Sequence, residues 1–310
     1  MELGLLEDFL ALADTLNFSR AAQSRHITQP AFSRRVRTLE AWVGAELFAR
    51  TTHGVTLTAA GRHFQNHAES LVRSFHQLRR DTLEASERDA KLLTFAATHA
   101  LSFNFFPKWV RSHDQILALG NLNLVSDSMQ ACEQMMLRGD VQFLLCHYQQ
   151  GVTTEMDSRQ FKSIVVGNDT LLPLCAAGPN GKARWPLGGG KTIKHLAYSP
   201  QSGLGRIVAA ERKAKAVPVK LSTTFTTHLA ATLLSMCRAG DGVAWLPRTL
   251  AEDDLAAGRL VSAGGPEFEQ PIEIRLFRPV ARQSPAAEAA WVAFRKTAAV
   301  NPAKNQSLQG

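Results

Sequence analysis

Two short helical patterns separated by a tight turn, within residues 18–43, constrain the N-terminal fold of this chain more than any other feature. Ser19 is a good N-cap for a helix over residues 20–26. The turn Ile27-Thr28-Gln29-Pro30 follows, with Thr28 placed to cap the next helix and Pro30 in its first turn, where the missing N–H costs nothing. A helix over residues 29–43 is then predicted. Two helices joined by so short a turn are typical of a helix-turn-helix.

The second of these helices is predicted to have an apolar face and a basic face. Its apolar positions are spaced four, three and four residues apart and point inward: Phe32, Val36, Leu39 and Val43. The opposite face is expected to expose Pro30, Ser33, Arg34 and Arg37. Arginine pairs bidentately with guanine, and glutamine, here Gln29, with adenine, at about 1–3 kcal/mol for each good pair. Thr28 and Ser33 have the right size to contact phosphate oxygens. Arginine-rich faces are also common as plain solvated surface, but the succession of helix, turn and arginine helix favours reading of the DNA major groove.

The flanking residues predict a wing and a long helix. Residues 2–16 carry an amphipathic helical pattern. Residues 47–51 and 55–58 predict a hairpin in which Gly54 takes a positive φ and Arg50 meets the DNA backbone or minor groove. Thr58 is placed to cap a helix that continues to about residue 88. Its apolar side alternates steps of four and three residues, which predicts a dimeric coiled coil and therefore a quasi-palindromic operator: Phe64, Ala68, Leu71, Phe75, Leu78 and Thr82.

The charge distribution separates the N-terminal part from the rest. The whole chain of 310 residues carries a formal net charge of +8. Residues 1–90 are neutral, with 11 arginines and 11 acidic residues, so the excess belongs to residues 91–310. Within residues 20–62, however, seven arginines face only Glu40 and Glu46. This local basic stripe suits DNA, whereas the C-terminal excess either lessens repulsion near the duplex or favours an anionic effector.

The segment from Phe18 to Gly61, which contains QPAFSRRVRTLE followed by ELFAR and LTAAG, resembles the winged helix-turn-helix of the LysR-type transcriptional regulators. Phe32 stands where many members have leucine. The phrases AATHALSFNFFPKWV and GVAWLP extend the resemblance to the hypochlorite-responsive, HypT-type subgroup. The resemblance implies a cytoplasmic homo-oligomer, a dimer or tetramer, that binds double-stranded DNA and a small effector, with RNA polymerase as a further candidate partner and without a cofactor or metal. The DNA-facing positions that it implies are Ser19, Arg20, Gln29, Pro30, Ser33, Arg34, Arg37 and Arg50.

Beyond residue 90 the pattern alternates strands and helices, which predicts βαβ units around a mostly parallel sheet. One helix is predicted near residues 105–119 and a strand over residues 171–176. The fold expected for the chain is therefore multidomain α+β: a winged helix-turn-helix over 1–60, a linker or dimerisation helix over 58–90, and an effector domain over 91–310. The resemblance implies that this last domain has two lobes like a periplasmic binding protein. Lobe I is expected over about 91–165 and 268–300, and lobe II over about 166–267.

Polar loops that follow the predicted strands indicate an effector site, because ligands of open α/β sheets collect at the carboxyl ends of strands. Several of these loops precede helices, so N–H groups and hydroxyls are expected to converge on a small anion in the cleft between the lobes. Each loop taken singly is equally well explained as an ordinary helix cap. The candidate residues are Thr98, His99, Ser102, Ser128, Met129, His147, Ser199, Gln201, Ser202, Thr227 and His228.

An oxidant is the alternative effector, and it would require an accessible sulfur. Met129 is expected in a cleft loop, while Met135, Met136 and Met236 fall at helical positions. The four cysteines, Cys132, Cys146, Cys175 and Cys237, have no metal-ligand spacing and are expected to be reduced and buried.

Other classes of protein fit the residues less well. The N-terminus is acidic, unlike a signal peptide, and no apolar run reaches the roughly 20 residues of a membrane span. No GxSxG, HExxH or phosphate loop occurs, and Gly203 and Gly205 lack the rest of a dinucleotide fingerprint. An enzyme or metabolite-binding module with an incidental helical domain is the alternative from another class, and a nonspecific nucleoid-type DNA binder is a further one.

Overall fold

The structure is a computed structural model that describes residues 2–51, 54–85, 92–113, 120–157, 159–188, 190–215 and 219–300. It contains two compact units, one formed by residues 1–88 with 137–140 and one by residues 89–136 with 141–310. The domain boundaries drawn from the sequence at residues 60 and 90, and those of the two lobes, stay predictions.

The N-terminal unit begins with three helices, α1 Leu3–Thr15, α2 Phe18–Ser24 and α3 Gln29–Val43. The predicted bounds of α3 are confirmed, whereas the helix expected over residues 20–26 begins and ends two residues earlier in the chain. The predicted inward positions of α3 are buried or half-buried, and the helix ends at Gly44, which has a left-handed φ of 78°. Strands β1 Phe48–Thr51 and β2 Gly54–Leu57 form the antiparallel hairpin, and Gly54 has the predicted positive φ, 130°.

Three local predictions for this unit are wrong. Asn17, not Ser19, caps α2, because its Oδ1 accepts hydrogen bonds at 3.0 Å from the backbone N–H groups of Ser19 and Arg20. Thr28 occupies the N-cap position of α3, but its side chain makes no capping hydrogen bond. Ser33 is buried rather than exposed, because on a helix it lies only about 60° around the axis from the inward-pointing Val36.

Helix α4 Ala59–Ala85 begins as predicted, with the Thr58 hydroxyl accepting from the N–H of Gly61 at 2.9 Å. Its predicted extension to residue 88 lies outside the described residues. The apolar repeat divides in two. Phe64 and Ala68 pack into the core of their own unit together with Val72, so they are not coiled-coil positions. The next part of the repeat is exposed, with relative accessibilities of 49%, 57% and 61% for Leu71, Phe75 and Leu78.

The second unit is built on a sheet that mixes parallel and antiparallel strands. Its helices are α5 His99–Asn104, α6 Phe106–Arg111, α7 Met129–Arg138, α8 Gly203–Lys215, α9 Ala230–Ala239, α10 Arg248–Ala256 and α11 Pro285–Val300. Its strands are β3 Leu92–Thr98, β4 Asn121–Asp127, β5 Phe143–Tyr148, β6 Phe161–Ala176, β7 Ile193–Tyr198, β8 Leu221–Thr227, β9 Ala244–Pro247, β10 Leu260–Ser262 and β11 Gln270–Pro279.

One seven-stranded sheet has the order β10-β6-β11-β5-β3-β4, with β9 also paired to β6, and β7 pairs with β8. Among the described strands of this unit, the β3–β4, β3–β5 and β7–β8 pairings are parallel and the four others are antiparallel, so the expectation of a mostly parallel sheet is wrong. The cause is the pair of long antiparallel strands β6 and β11, which run together for ten residues. The helix expected over residues 105–119 is also shorter than predicted: within that range the structure has α6, Phe106–Arg111, and residues 114–119 lie outside the described part. Helix α5 precedes this range and ends at Asn104.

Two hydrophobic cores give this unit its two lobes. One core is centred on β3, β5, α6 and α11 and contains Phe95, Phe143 and Trp291. The other contains Leu174, Leu233 and other residues of β6, β7, α8, α9 and β9. Strands β6 and β11 contribute to both cores, which confirms the two-lobed α/β architecture. The cleft between the lobes therefore lies where these two strands pass from one core to the other.

Candidate functional sites

The outer face of α3 presents polar side chains at its N-terminal end. Gln29, Pro30, Arg34 and Arg37 are exposed, as predicted. Among the described residues, no acidic side chain pairs with Arg34 or Arg37. The exposed face of α3 thus carries Gln29 and two arginines without acidic partners, while Phe32 and Leu39 are buried on its inner face. Such a face can donate hydrogen bonds to base edges and phosphate oxygens.

The basic stripe of residues 20–62 has fewer unpaired arginines than its seven arginines suggest. Arg25 binds both Glu7 at 2.7 Å and Asp8 at 2.8 Å, and Arg35 binds the other oxygen of Asp8. These two arginines, counted with the stripe at the sequence level, are neutralised by acids from outside residues 20–62. Asp8 thereby ties α1 to both helices of the helix-turn-helix and sets how α3 is presented.

The remaining predicted DNA-facing residues lie on the flanks of α3. Ser19, Arg20 and Thr28 are exposed at the start of α2 and of α3. Arg50 lies in β1, and its side chain is outside the described part of the chain. Arg62 donates to the carbonyl of Leu57 at 3.0 Å and so braces the wing against α4.

A small cavity in the cleft gathers seven of the eleven predicted effector residues. The cavity has a volume of about 20 Å³, enough for one ligand the size of a water molecule. Helices α7, α8 and α9 all begin at its wall, which contains Met129, Gly203 and Ala230. The predicted residues among its lining are Thr98, His99, Ser128, Met129, His147, Ser202 and His228.

Two histidines face each other across this cavity. The rings of His99 and His228 have centroids 5.6 Å apart. His99 Nδ1 lies 2.9 Å from the hydroxyl of Ser126, which is 2.7 Å from that of Ser102. Burial, together with His228, lowers the pKa of His99, while Asp127 acts in the opposite direction. The positive charge of His99 thus depends on pH and on the groups around it.

His147 is a buried polar side chain of the cavity. Its Nε2 lies 3.4 Å from Asp169 Oδ2, and the hydroxyl of Thr249 donates to the same carboxylate at 2.5 Å. Burial acts to raise the pKa of Asp169, but these hydrogen bonds outweigh it and the pKa is lowered. His147 Nδ1 and Thr98 Oγ1 are buried and have no hydrogen-bond partner within the described ranges. Two polar atoms at this wall can therefore accept or donate a further bond.

Four predicted effector residues do not line the cavity: Ser102, Ser199, Gln201 and Thr227. Ser102 contacts two groups near it, donating to the carbonyl of His99 at 2.9 Å and lying 2.7 Å from the hydroxyl of Ser126, while Ser199 and Gln201 bond to each other at 3.3 Å. Two of the residues that do line the cavity also have ordinary capping roles, since Ser128 caps α7 and Ser202 caps α8. Sequence reasoning missed Ser126, the partner of His99, although its position near the end of β4 was a usable signal.

The sulfur atoms of Met129 and of the four cysteines are poorly placed for oxidation, whereas Met135 and Met236 are half-buried. Met129 is the first residue of α7 rather than part of a loop, and it is only 4% exposed. All four cysteines are free and buried. Burial raises the pKa of the thiols of Cys132 and Cys237 to about 12 and also raises that of Cys146 and Cys175. These thiols remain protonated and unreactive at neutral pH.

An ion pair joins two of the helices that meet at the cleft. Arg206 of α8 forms two hydrogen bonds, at 2.9 and 2.8 Å, with the buried carboxylate of Glu133 in α7. Thr154 also donates to Glu133 at 2.7 Å. The described residues contain no group of three or more potential metal ligands and no helix long and apolar enough to cross a membrane.

Comparisons with known proteins agree with both units. The model of the bacterial regulatory helix-turn-helix protein, lysR family, matches residues 3–62, and that of the LysR substrate binding domain matches residues 86–299. The HTH-type transcriptional regulator YjiE of Escherichia coli K12 is 27% identical over 291 residues, which cover 94% of this chain and 93% of YjiE.

Solved structures give the same result. The full-length hypochlorite-specific LysR-type regulator HypT of Salmonella typhimurium is 29% identical, with a TM-score of 0.60 and coverage of 97% of this chain and 99% of HypT. Its regulatory domain with a bound bromide ion is 25% identical, with a TM-score of 0.58 and coverage of 68% and 96%. Vibrio fischeri DarR, solved in complex with DNA, is 30% identical, with a TM-score of 0.57 and coverage of 95% and 98%.

Proposed function

Because the chain belongs to the LysR family and is a DNA-binding transcriptional regulator with an effector-binding domain, we propose that it reads operator DNA with the outer face of α3 and responds to a small anion bound in its interlobe cleft. The observation that carries the anion proposal is the convergence of three helix N-termini and two histidines on one small cavity. We place this activity in the cytoplasm, where the chromosome is, and RNA polymerase stays a candidate partner.

The DNA part of the proposal rests on the free cations of α3. We assign Arg34 and Arg37, with Gln29, to base edges in the major groove, and Ser19, Arg20, Thr28, Pro30 and Ser33 to the surrounding contacts with the DNA. Because Ser33 is buried, it can contact DNA only through the small part of its surface that remains accessible. Arg50 is assigned to the DNA backbone at the wing. Base contacts carry sequence preference, whereas phosphate contacts carry affinity for any sequence.

A binding experiment separates these roles. Arg34→Ala is expected to relax the preference for operator over random duplex by about tenfold, which corresponds to one base-reading pair. Arg50→Ala is expected to weaken both duplexes equally and to reduce the slope of log affinity against log salt by about one. Arg79→Ala, an exposed arginine of α4, is the matched control. Equal affinity of the wild-type protein for operator and random duplex would make it a nonspecific binder and overturn the assignment.

The exposed part of α4 supports self-association. Leu71, Phe75 and Leu78 follow one another at four and three residues on one side of the helix, and all three are exposed. We propose that two copies of α4 pair through this face. A twofold dimer presents two α3 helices to two half-sites, so the operator is expected to be quasi-palindromic.

The anion part rests on the size and electrostatics of the cleft. Helices α7, α8 and α9 have ten or more residues each, so their N-termini carry the positive end of a substantial dipole. His99 adds positive charge when protonated, and the buried Nδ1 of His147 offers an unused hydrogen-bonding atom. The negative charge of Asp127 repels an anion in the cavity. We therefore expect anion binding to be accompanied by the uptake of protons. The bromide ion bound to the HypT regulatory domain supports an occupant of this size.

Calorimetric titration of the full chain with bromide tests this part. Affinity is expected to be higher at pH 6 than at pH 8, because an anion favours protonated His99, whose pKa lies below its usual value. His99→Ala should abolish this pH dependence, while His67→Ala in the N-terminal unit should leave it unchanged. Absence of binding for bromide, chloride and acetate at both pH values would refute the anion site.

Hypochlorite is a second candidate occupant, favoured by the similarity to HypT. Because Met129 lies at the wall of the cavity, an oxidising effector would add 16 mass units to the chain there, as methionine sulfoxide. Peptide mass mapping after hypochlorite exposure, which assigns an added oxygen to a particular residue, distinguishes the two effectors. Unchanged mass together with altered DNA affinity indicates reversible anion binding, whereas a modified Met129 indicates oxidation.

A further inference from the structure

A second cavity lies outside the cleft and is much larger. Its volume is about 390 Å³, within the usual range of small-molecule sites. It is bounded by α5, α6, β6, α10 and α11, and it shares no lining residue with the cleft cavity. Because α6 and α11 belong to the first core and α10 packs on the second, an occupant would contact both lobes.

One wall of this cavity is flat and aromatic. The rings of Phe105 and Trp109 stack at 6.1 Å with an interplanar angle of 22°, and Trp109 stacks on Phe294 at 4.5 Å and 19°. Val165 and Val166 of β6 add aliphatic surface. Stacked rings that border a cavity provide a face on which a further planar ring can pack. The wall therefore suits an aromatic or similarly flat apolar group.

The cavity also has one positively charged and one negatively charged side chain in its wall. Lys108 of α6 and Glu252 of α10 both line it. Neither side chain has an oppositely charged partner within 4 Å among the residues that the structure describes. A carboxylate on the ligand would be complemented by Lys108, and an ammonium group by Glu252.

The three hydroxyl groups of the cavity favour a ligand that donates hydrogen bonds. The hydroxyl of Ser112 already donates to the carbonyl of Trp109, that of Thr297 to Ala293, and that of Thr249 to Asp169. Each hydroxyl has therefore used its single proton and can offer only its lone pairs. Together with Glu252 they form a surface of acceptors, which matches an ammonium group better than a second carboxylate.

We propose that this cavity is a second effector site and that its ligand is an amphipathic zwitterion, with the chemistry of an aromatic amino acid. The ring packs on Phe105 and Trp109, the carboxylate binds Lys108, and the ammonium group binds Glu252 and the neighbouring hydroxyl oxygens. The ligand bridges α6 and α10. This inference is independent of the anion site, because none of the cleft residues takes part.

Calorimetry on the full-length chain tests the proposal with four probes of related structure. L-Phenylalanine is expected to bind with a dissociation constant in the micromolar to millimolar range. Phenethylamine, which lacks the carboxylate, 3-phenylpropanoic acid, which lacks the ammonium group, and L-alanine, which lacks the ring, should each bind roughly tenfold more weakly. The ranking by itself shows whether the ring and both charges are read.

Two pairs of variants locate the binding. Lys108→Gln is compared with Arg111→Gln, an exposed cation of the same helix, and Glu252→Gln with Asp253→Asn, its exposed neighbour. The cavity variants should weaken phenylalanine binding about tenfold and the controls by less than twofold. Because all four side chains are exposed, the variants should fold, which circular dichroism and operator binding verify.

Two outcomes would overturn the proposal: no binding of phenylalanine up to 10 mM, or binding that Lys108→Gln and Glu252→Gln leave unchanged. Bromide titration of the same samples separates this failure from failure of the cleft site. A protein that binds bromide but not phenylalanine retains the anion proposal and loses this one.

Discussion

Asp8 is 1% exposed and binds two arginines from two different helices, so its replacement by asparagine should loosen the DNA-binding unit. Removing one partner of a fully buried ion pair costs about 3–5 kcal/mol. Here Arg25 and Arg35 are 30% and 38% exposed, and Arg25 keeps Glu7, so solvent offsets part of the loss. We therefore expect Asp8→Asn to destabilise the packing of α1 against α2 and α3 by about 2 kcal/mol.

Hydrogen exchange of the full-length chain measures this effect locally, without requiring the two units to unfold together. A loss of about 2 kcal/mol corresponds to roughly thirtyfold faster exchange of the protected amides in α1 and α3. Glu46→Gln, which removes an equal charge from an exposed position, is the control. Operator affinity should fall together with protection. Exchange rates within threefold of the wild type would refute the argument that Asp8 holds α3 in place.

Three further predictions concern acid stability, assembly and thiol reactivity. Hydrogen bonds from the buried Arg278 hold the pKa of Glu288 at about 2 although burial acts to raise it, so this pair stabilises fully above pH 4.5 and progressively less as the pH falls towards 2. Circular dichroism should accordingly show a shallower loss of stability between pH 4.5 and 2 for Glu288→Gln than for the wild type, and parallel curves would contradict this. Phe75→Glu should shift the sedimentation coefficient towards that of a smaller species. Asn66→Glu, on the opposite side of α4, should not. Equal shifts for the two variants would argue against self-association through the apolar face of α4. At pH 8, Ellman's reagent should find fewer than one reactive thiol per folded chain and four in denaturant, and rapid labelling of the native protein would show that the thiols are accessible.

The helix-turn-helix was largely predictable because its information is local. The spacing of Phe32, Val36 and Leu39, with Pro30 at the start and Gly44 at the end, sets both bounds of α3. Residues within one helix interact at three and four positions along the chain, so the pattern and the contacts coincide. The errors in this unit came from choices between neighbours, as when Asn17 rather than Ser19 became the cap.

The topology of the second unit was less predictable because it depends on distant pairings. Residues 161–170 carry mixed polar and apolar side chains, and they become half of β6 only because residues 270–279 pair with them as β11. Helix α10 was also missed, since its nine residues, Arg248–Ala256, are mostly polar or small and bury little surface. Neither stretch has a residue pattern that distinguishes it from a loop.

The effector residues divide in the same way. Polar side chains after β3, β4 and β5 could be expected at one edge of the sheet, and the structure places Thr98, Ser128 and His147 together there. It does not bring Ser199 or Gln201 to the same cavity, because the chain turns away before α8 begins. Asp127 lines the cavity and Met129 is buried. Both outcomes depend on tertiary packing, which determines which side of a segment faces the cleft.

The sequence by itself determined the helices of the DNA-binding unit, its basic face, the apolar repeat of α4 and the alternation of strands and helices beyond residue 90. Only the tertiary structure decided which charges and which apolar residues remain available. It neutralised Arg25 and Arg35 through Asp8, it left Leu71, Phe75 and Leu78 uncovered, and it enclosed a cavity between Lys108 and Glu252. The reason is physical: a residue's type sets what its side chain can bind, but its availability depends on neighbours that are distant in the chain.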